Sequence, residues 1–349
     1  MDDQNNLAPA VPTDPPTNAG LEEDRARSDL SCDPCDSVCR FSNPCDNCWM
    51  NASLQAVLNL EVVRRKLTSL QPEHVMQKLI TPAFGGLFLT ALKNPGETFS
   101  PEAVQVVLAD LSVKLPSLKL SQANHICHFL NPLLMSLSRC DVNTRVEIEE
   151  VSSCERCLIN MWSKEEKYVF ILPAPGENDS ITSLWIRSEV EHEEAGQCVS
   201  CGLAVKKEFS MVLPEVLTLC VPQGVQSDSV ANKPVTPCAS LEFLMDESTT
   251  LSYRLASVIC KGDFEGSVAH AWTCLFKNRD IVEADDDLIS VVKSCRPDGI
   301  CQEAVSERLK GPWSRGGSWL PIGSGSSSPP AANWATGLCG PETTANDRV

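Results

Sequence analysis

Apolar side chains in the first part of the chain recur at helical spacing. After Asn47, the positions Met50, Leu54, Val57, Leu58 and Val62 fall on one face of a 3.6-residue period, with Asn47 placed as the N-cap. A second stripe, Ile126, Phe129, Leu130, Leu133, Leu134 and Leu137, predicts another helix, which Pro132 is expected to kink or split. From Val146 onward the pattern turns strand-like. Short apolar runs at 168–172, 209–213, 216–221, 253–259 and 271–276 are separated by Gly, Pro, Asn and Asp clusters. Helices first and strands second predict an α+β architecture rather than an alternating parallel sheet.

Both ends of the chain lack this patterning. Residues 1–37 are acidic and poor in large apolar side chains, and 306–349 are rich in Gly, Ser and Pro, so both are expected to be disordered tails. Trp313, Trp319 and Trp334 in the second tail are either a short docking motif or stray aromatics. Between the tails, 38–305 reads as one domain: 38–145 helical, then 146–250 and 251–305 strand-rich. The 349 residues carry 29 Lys plus Arg against 46 Asp plus Glu, a net charge of −17. That balance excludes a general binder of nucleic acid or anionic membranes, which needs a basic face. No apolar run reaches the roughly 18 residues of a membrane helix, and the acidic N-terminus has no signal-peptide core. The expected location is cytoplasmic and/or nuclear, and the 18 cysteines are then thiols, metal ligands or a nucleophile rather than a disulfide framework.

Four of those cysteines form two CxxC pairs, Cys154/Cys157 and Cys198/Cys201. A structural zinc takes four soft ligands in a tetrahedron, and each CxxC turn supplies two from one knuckle. The N-terminal Cys32, Cys35 and Cys39 are less regular, and hold a second metal or are simply a local enrichment. Cys48 differs from all of these. It falls at the first turn of the predicted helix, where unpaired amides and the helix dipole favour a thiolate. A thiolate in acyl transfer needs a histidine base held by a third group. Of the five histidines, His270 opens the strand-like run after the 262–269 loop, and a hairpin through Asn278 returns the chain so that Asp285 lies opposite the start of that strand. From these residues alone a Cys45/Cys48 redox pair stays open.

The stretch Asn43-Pro-Cys-Asp-Asn-Cys48-Trp-Met-Asn51-Ala-Ser-Leu54-Gln55 resembles the cysteine box of the ubiquitin-specific proteases, N-x-G-N-T-C-Y/F-M-N-x-x-L-Q. Other landmarks of that family follow in order: the two CxxC knuckles, Tyr253-Arg-Leu255-Ala-Ser-Val-Ile for Y-x-L-x-x-V-V, His270 for the histidine of G-H-Y, and Asp285-Asp-Asp for D-D-x-x-V. The resemblance spans about 38–293. It implies a papain-like cysteine peptidase with a helical thumb, a β-rich palm and zinc-bearing fingers, and it implies a thiol-dependent deubiquitinase. By resemblance Cys48 is the nucleophile, His270 the base and Asp285 its orienting carboxylate, with Asp286 one register away. Asn43 is then the oxyanion donor, and Cys154, Cys157, Cys198 and Cys201 the ligands of a structural zinc. The implied partners are ubiquitin or a ubiquitin-like modifier and its conjugates, met by a monomer, with no nucleic acid or membrane.

Three departures bear on that implication. Cys45 stands in place of the glycine of the cysteine box, and Ala269 in place of the glycine before the histidine, with the following aromatic displaced to Trp272. In addition, Gln122-Ala-Asn-His125-Ile-Cys-His128-Phe129-Leu130 resembles the family's Q-Q-D-A-H-E-F-L helix, with His125 and His128 where the family carries the carboxylates that bind arginines of the ubiquitin tail. Imidazoles do not replace carboxylates opposite guanidinium groups. The expected function is hydrolysis of the bond after the C-terminal Gly of ubiquitin. The alternatives are a SUMO or ubiquitin-like isopeptidase and a catalytically weak pseudoprotease that binds without cleaving.

Overall fold

The structure is a computed structural model. It describes residues 33–122, 124–193, 196–222, 235–244, 250–262, 270–277, 280–295 and 300–309. Cys32, Ala269, Asn278 and the tryptophans Trp313, Trp319 and Trp334 lie outside the described residues.

A 3-10 turn (Pro34–Ser37) and strand β1 (Arg40–Phe41) lead into α1 (Cys48–Leu58), followed by α2 (Glu61–Ser69), α3 (Pro72–Lys78) and α4 (Pro82–Lys93). Strand β2 (Thr98–Phe99) pairs in parallel with β1, and α5 (Pro101–Lys114) and α6 (Cys127–Ser138) complete the helical part. Local chemistry sets several of these starts. The hydroxyls of Thr81 and Ser100 accept from the N–H groups of Phe84 (3.2 Å) and Ala103 (3.4 Å), each beside a proline at the first helical position. Gly85 lets α4 approach α3, since a β-carbon there would lie 2.9 Å from the Met76 Cα.

Helix α1 is buried along its whole length. One side packs on α6, where Trp49 meets Phe129 edge-on at 5.6 Å. The other lies on the sheet, stitched to it by hydrogen bonds from Thr273 Oγ1 to the Ala52 carbonyl (2.7 Å) and from Ser257 Oγ to the Ala56 carbonyl (3.3 Å). The predicted stripe continued to Val62, but the chain turns at Asn59, whose Nδ2 donates to the Ala256 carbonyl (2.8 Å), and Val62 belongs to α2. Helix α2 has no side-chain cap of its own. The Glu307 carboxylate accepts from the N–H groups of Val62 (2.7 Å) and Glu61 (3.2 Å) instead. Pro132 does not split α6, which runs through it as one helix. The apolar stripe around Pro132 is buried from Phe129 to Leu137, and that packing outweighs one lost backbone bond.

The β-rich part holds two sheets. Strands β3 (Val146–Cys154) and β4 (Ile159–Lys167) form a hairpin joined by β6 (Lys206–Val212) in the order β4-β3-β6. Between them lie β5 (Phe170–Ile171) and α7 (Ile181–Glu193). The remaining strands are β7 (Val216–Cys220), β8 (Ser240–Leu244), β9 (Thr250–Gly262), β10 (His270–Lys277), β11 (Asp280–Asp285), β12 (Leu288–Val292) and β13 (Ile300–Arg308). They build the large sheet in the order β12-β11-β10-β9-β13-β7-β5, with β8 also on β9. The first element among the described residues starts at Pro34 and the last ends at Arg308. Among the described residues no helix is long and apolar enough to cross a membrane.

Candidate active site

The site lies where α1 points its N-terminus at the edge of the large sheet. The 42–47 loop must bring the chain into α1 through a tight turn, and Asp46 adopts a left-handed backbone there (φ 51°). Buried amides hold the loop. Asn47 occupies the N-cap position, but its side chain makes no capping bond. Its Nδ2 donates to the Ser42 carbonyl (3.2 Å) and to Asn51 Oδ1 (3.0 Å), and its Oδ1 accepts from the Cys45 N–H (3.3 Å). Asn51 Nδ2 donates in turn to the Ser42 carbonyl (3.2 Å) and to Asp286 Oδ1 (2.7 Å). Cys48 is thereby fixed as the first residue of a buried helix, beside amides that have no intrahelical acceptor.

Strand β10 begins at His270, and the β10–β11 register pairs Thr273 with Ala284. That register brings Asp285 level with Trp272, on the face of β10 that carries His270. His270 Nε2 and Asp285 Oδ1 are 2.5 Å apart, and the imidazole is also hydrogen-bonded to Cys48. Asp285 occupies Nε2, which leaves Nδ1 to face the thiol. The Asp285 hydrogen bond, then the Cys48 hydrogen bond, push the imidazole up to about 10 against the opposing effect of burial. The Trp272 indole stacks beside the ring at 6.2 Å between centroids.

Asp286 also comes within 4.8 Å of the His270 ring, but its carboxylate is engaged by two asparagines. With a left-handed backbone (φ 56°) it accepts from Asn43 Nδ2 on Oδ2 (2.8 Å) and from Asn51 on Oδ1, and burial raises its carboxyl above the ordinary range. Asn43 Oδ1 accepts from the Asn47 N–H (2.6 Å). The amide expected to serve as an oxyanion donor is therefore tied by one N–H to Asp286, with one hydrogen left for another acceptor. Sequence reasoning missed the Asn51–Asp286 link. Its only signal was Asn51 within the cysteine box.

At the far end of the β3–β4 hairpin, Cys154, Cys157, Cys198 and Cys201 bring their sulfurs within 4.8 Å of one another. Cys154 lies 3.6 Å from Cys201, and Cys157 lies 3.9 Å from Cys198. A tetrahedron of Zn–S bonds of about 2.3 Å has S···S edges of about 3.8 Å, which these two distances bracket. The cluster can hold a metal ion. Hydrogen bonds from the Ser200 and Cys201 backbone pull the Cys198 thiol down to about 6, the direction a ligand thiolate needs. Of the N-terminal cysteines, Cys39 is buried and its thiol donates to the carbonyls of Ala91 (3.5 Å) and Asn94 (3.6 Å), while Cys35 packs in a separate cluster with Leu275 and Ile289. His125 and His128 are both exposed at the start of α6, with ring centroids 5.8 Å apart.

No protein-family model matches the sequence, and no curated protein matches it either. Solved structures do. The chain is similar to the Ubp8 subunit in structures of the SAGA DUB module Ubp8/Sgf11/Sus1/Sgf73. One is bound to monoubiquitin, with a TM-score of 0.58, 10% identity, and 83% of this chain and 74% of that chain covered. A second, bound to ubiquitin aldehyde, gives 0.58 and 10% over 79% and 70% of the two chains. A third gives 0.54 and 13% over 83% and 72%. The chain has the ubiquitin-specific protease fold. In the terms of that fold, the helices through α6 are the thumb, the three-stranded sheet with its four cysteines is the fingers, and the large sheet is the palm. The Cys48–His270–Asp285 group lies at the junction of thumb and palm. At 10–13% identity the likeness speaks for the fold alone.

Proposed function

We propose that the chain is a cysteine-type deubiquitinase that hydrolyses the isopeptide or peptide bond after the C-terminal Gly of ubiquitin. The observation that carries this reading is His270 held between Cys48 and Asp285 at the N-terminus of a buried helix. Asp285 and the thiol both favour the protonated ring, so His270 stands as an imidazolium beside the nucleophile near neutral pH. Cys48 sulfur attacks the glycine carbonyl. The developing oxyanion takes hydrogen bonds from the first backbone amides of α1 and from the second N–H of Asn43, whose place Asp286 sets. One donor of that kind contributes on the order of 3 kcal/mol to the barrier. His270 gives its proton to the leaving lysine amine as the C–N bond breaks. It then takes a proton from the water that attacks the thioester, releasing the carboxylate and the Cys48 thiol. Asp285 holds the ring throughout. The four finger cysteines fit zinc, which would supply no chemistry at the site and would tie β3, β4 and the 198–202 turn together.

A second substrate class is favoured by one specific feature. His125 and His128 are exposed where the family places carboxylates, which suits a modifier such as SUMO, whose tail lacks arginine. The test is to react the purified chain with ubiquitin and SUMO probes that carry a C-terminal electrophile. Ubiquitin-probe labelling that disappears in Cys48→Ala, with circular dichroism unchanged, supports the proposal. Labelling by the SUMO probe alone moves the substrate to that modifier. Reaction with neither makes the chain a binding module.

A further inference from the structure

A pocket at the other end of α1 from Cys48 gathers cations without carboxylates. It is an open space of about 280 Å³, mouth included, lined by the Ser37–Cys39 segment, Gln55 of α1, its C-cap Asn59, Arg64 of α2 and Lys277 at the end of β10. Arg64 and Lys277 are both half-buried. Arg64 Nη1 donates to the Leu92 carbonyl (3.1 Å) and Nη2 to the Leu58 carbonyl (3.5 Å), in the last turns of α4 and α1. Lys277 Nζ donates to Ser37 Oγ (2.6 Å). Among the described residues these are the hydrogen bonds of the two groups, and every acceptor is neutral, so most of their N–H groups remain for another acceptor. Among the described residues no carboxylate lines the pocket. Asp280, the register partner of Lys277 on β11, is exposed and lies outside the lining. The surroundings share the sign of the pocket: residues 60–119 hold seven Lys and Arg against five Asp and Glu, in a chain whose net charge is −17.

We propose that this pocket binds a phosphoryl group between Arg64 and Lys277, which joins α2 of the thumb to β10 of the palm. The charge balance carries the argument. Two cations brought to one half-buried space repel each other and lose hydration, a cost that a fold offsets with a carboxylate or leaves for a bound anion. Here the fold supplies no carboxylate to the lining. The negative ends of α1 and α4 offset part of the Arg64 charge, since its bonds reach the carbonyls there, but Lys277 has only a hydroxyl. Burial, and after it the Arg64 charge, hold the Lys277 ammonium below its ordinary range, a direction that a bound anion reverses. A guanidinium with N–H groups to spare and an ammonium point charge together suit a doubly charged tetrahedral oxyanion better than a single carboxylate.

The phosphoryl group can arrive as inorganic phosphate or on a small phosphate monoester, and the experiment has an arm for each. The full chain is titrated by calorimetry with inorganic phosphate and with O-phosphoserine, against sodium chloride of equal ionic strength. One saturable site per chain is expected for at least one of the two compounds, and none for chloride. Lys277→Gln should weaken that binding about tenfold or more, the loss of one charge-assisted hydrogen bond, and Arg64→Gln should do the same. Arg64 also holds the ends of α1 and α4, so its variant is compared only if its circular dichroism matches the wild type. Lys277→Gln leaves those bonds in place and decides the matter by itself. Saturation by phosphate assigns the pocket to the free ion, and saturation by O-phosphoserine alone assigns it to an ester. No saturable binding of either compound overturns the proposal. So does binding that chloride matches, or that Lys277→Gln leaves unchanged. The pocket is separate from Cys48, so the outcome is independent of the proposed peptidase activity.

Discussion

Asp285→Asn isolates what the carboxylate does for His270. The wild-type ring is pushed up to about 10, and the Asp285 hydrogen bond is the largest cause, followed by the Cys48 hydrogen bond, with burial opposing both. An asparagine keeps the shape and a carbonyl acceptor but loses the charge. The Cys48 contact, a larger effect than desolvation, and the nearby Asp286 carboxylate remain, so the ring should fall towards its ordinary 6.5 without dropping below it. A clear fall is expected, each pH unit of it worth about 1.4 kcal/mol. The sign for stability follows. Because the folded pKa is the higher one, the ring stabilises the fold fully below about pH 6.5, and that contribution fades as pH rises through about 10. With partial solvent access discounted, Asp285→Asn should cost on the order of 2 kcal/mol near pH 6 and almost nothing above pH 10. The assay is a titration of the imidazole signals by NMR, tractable with five histidines in the chain and His270→Gln to assign the peak. Identical His270 titrations in the wild type and Asp285→Asn, or a rise in the variant, would refute the reasoning.

Two further outcomes are expected. Glu307→Ala removes the carboxylate that caps α2 through two N–H groups, and should cost about 2–3 kcal/mol in urea denaturation; a loss below about half a kcal/mol counts against the cap. His125→Asp with His128→Glu should raise ubiquitin cleavage about tenfold or more, since one restored charge-assisted bond exceeds the roughly 1.4 kcal/mol that tenfold requires. Unchanged turnover in the folded double variant would mean that neither imidazole meets the tail.

The grouping of Cys48, His270 and Asp285 was legible because each stands at the start or end of an element. A nucleophile at a helix start, a histidine at a strand start and an aspartate at the end of the returning strand are positions that spacing and turn length can set. The Asn47 and Asn51 side chains were not legible, since a helix-start asparagine reads as a cap. Only the fold reveals that they are spent on the Ser42 carbonyl, on each other and on Asp286. Glu307 was beyond local reasoning for a simpler reason: the helix it caps lies at the other end of the domain in sequence. The stripe runs on to Val62, past the end of α1, because Val62 on α2 keeps the helical period across the turn at Asn59. In the fold, Asn51, Ser53 and Gln55 are all buried, and Gln55 donates to the Cys39 carbonyl.

That complete burial of α1 has a bearing on where control of the site can reside. A helix enclosed by thumb and palm on every side opens to solvent only when the two separate, so its amide hydrogens should exchange with deuterium as slowly as any in the molecule. Cys48 then rides on the least deformable element of the protein. Fraying cannot switch it off, and a partner cannot reshape it without unfolding the core. What can move at modest cost are the segments that approach it from outside: the 42–47 loop and the turn that carries Asp285 and Asp286, joined by the Asn43 and Asn51 hydrogen bonds. Any effector of this chain must act on those two segments, with α1 as the fixed anvil beneath them.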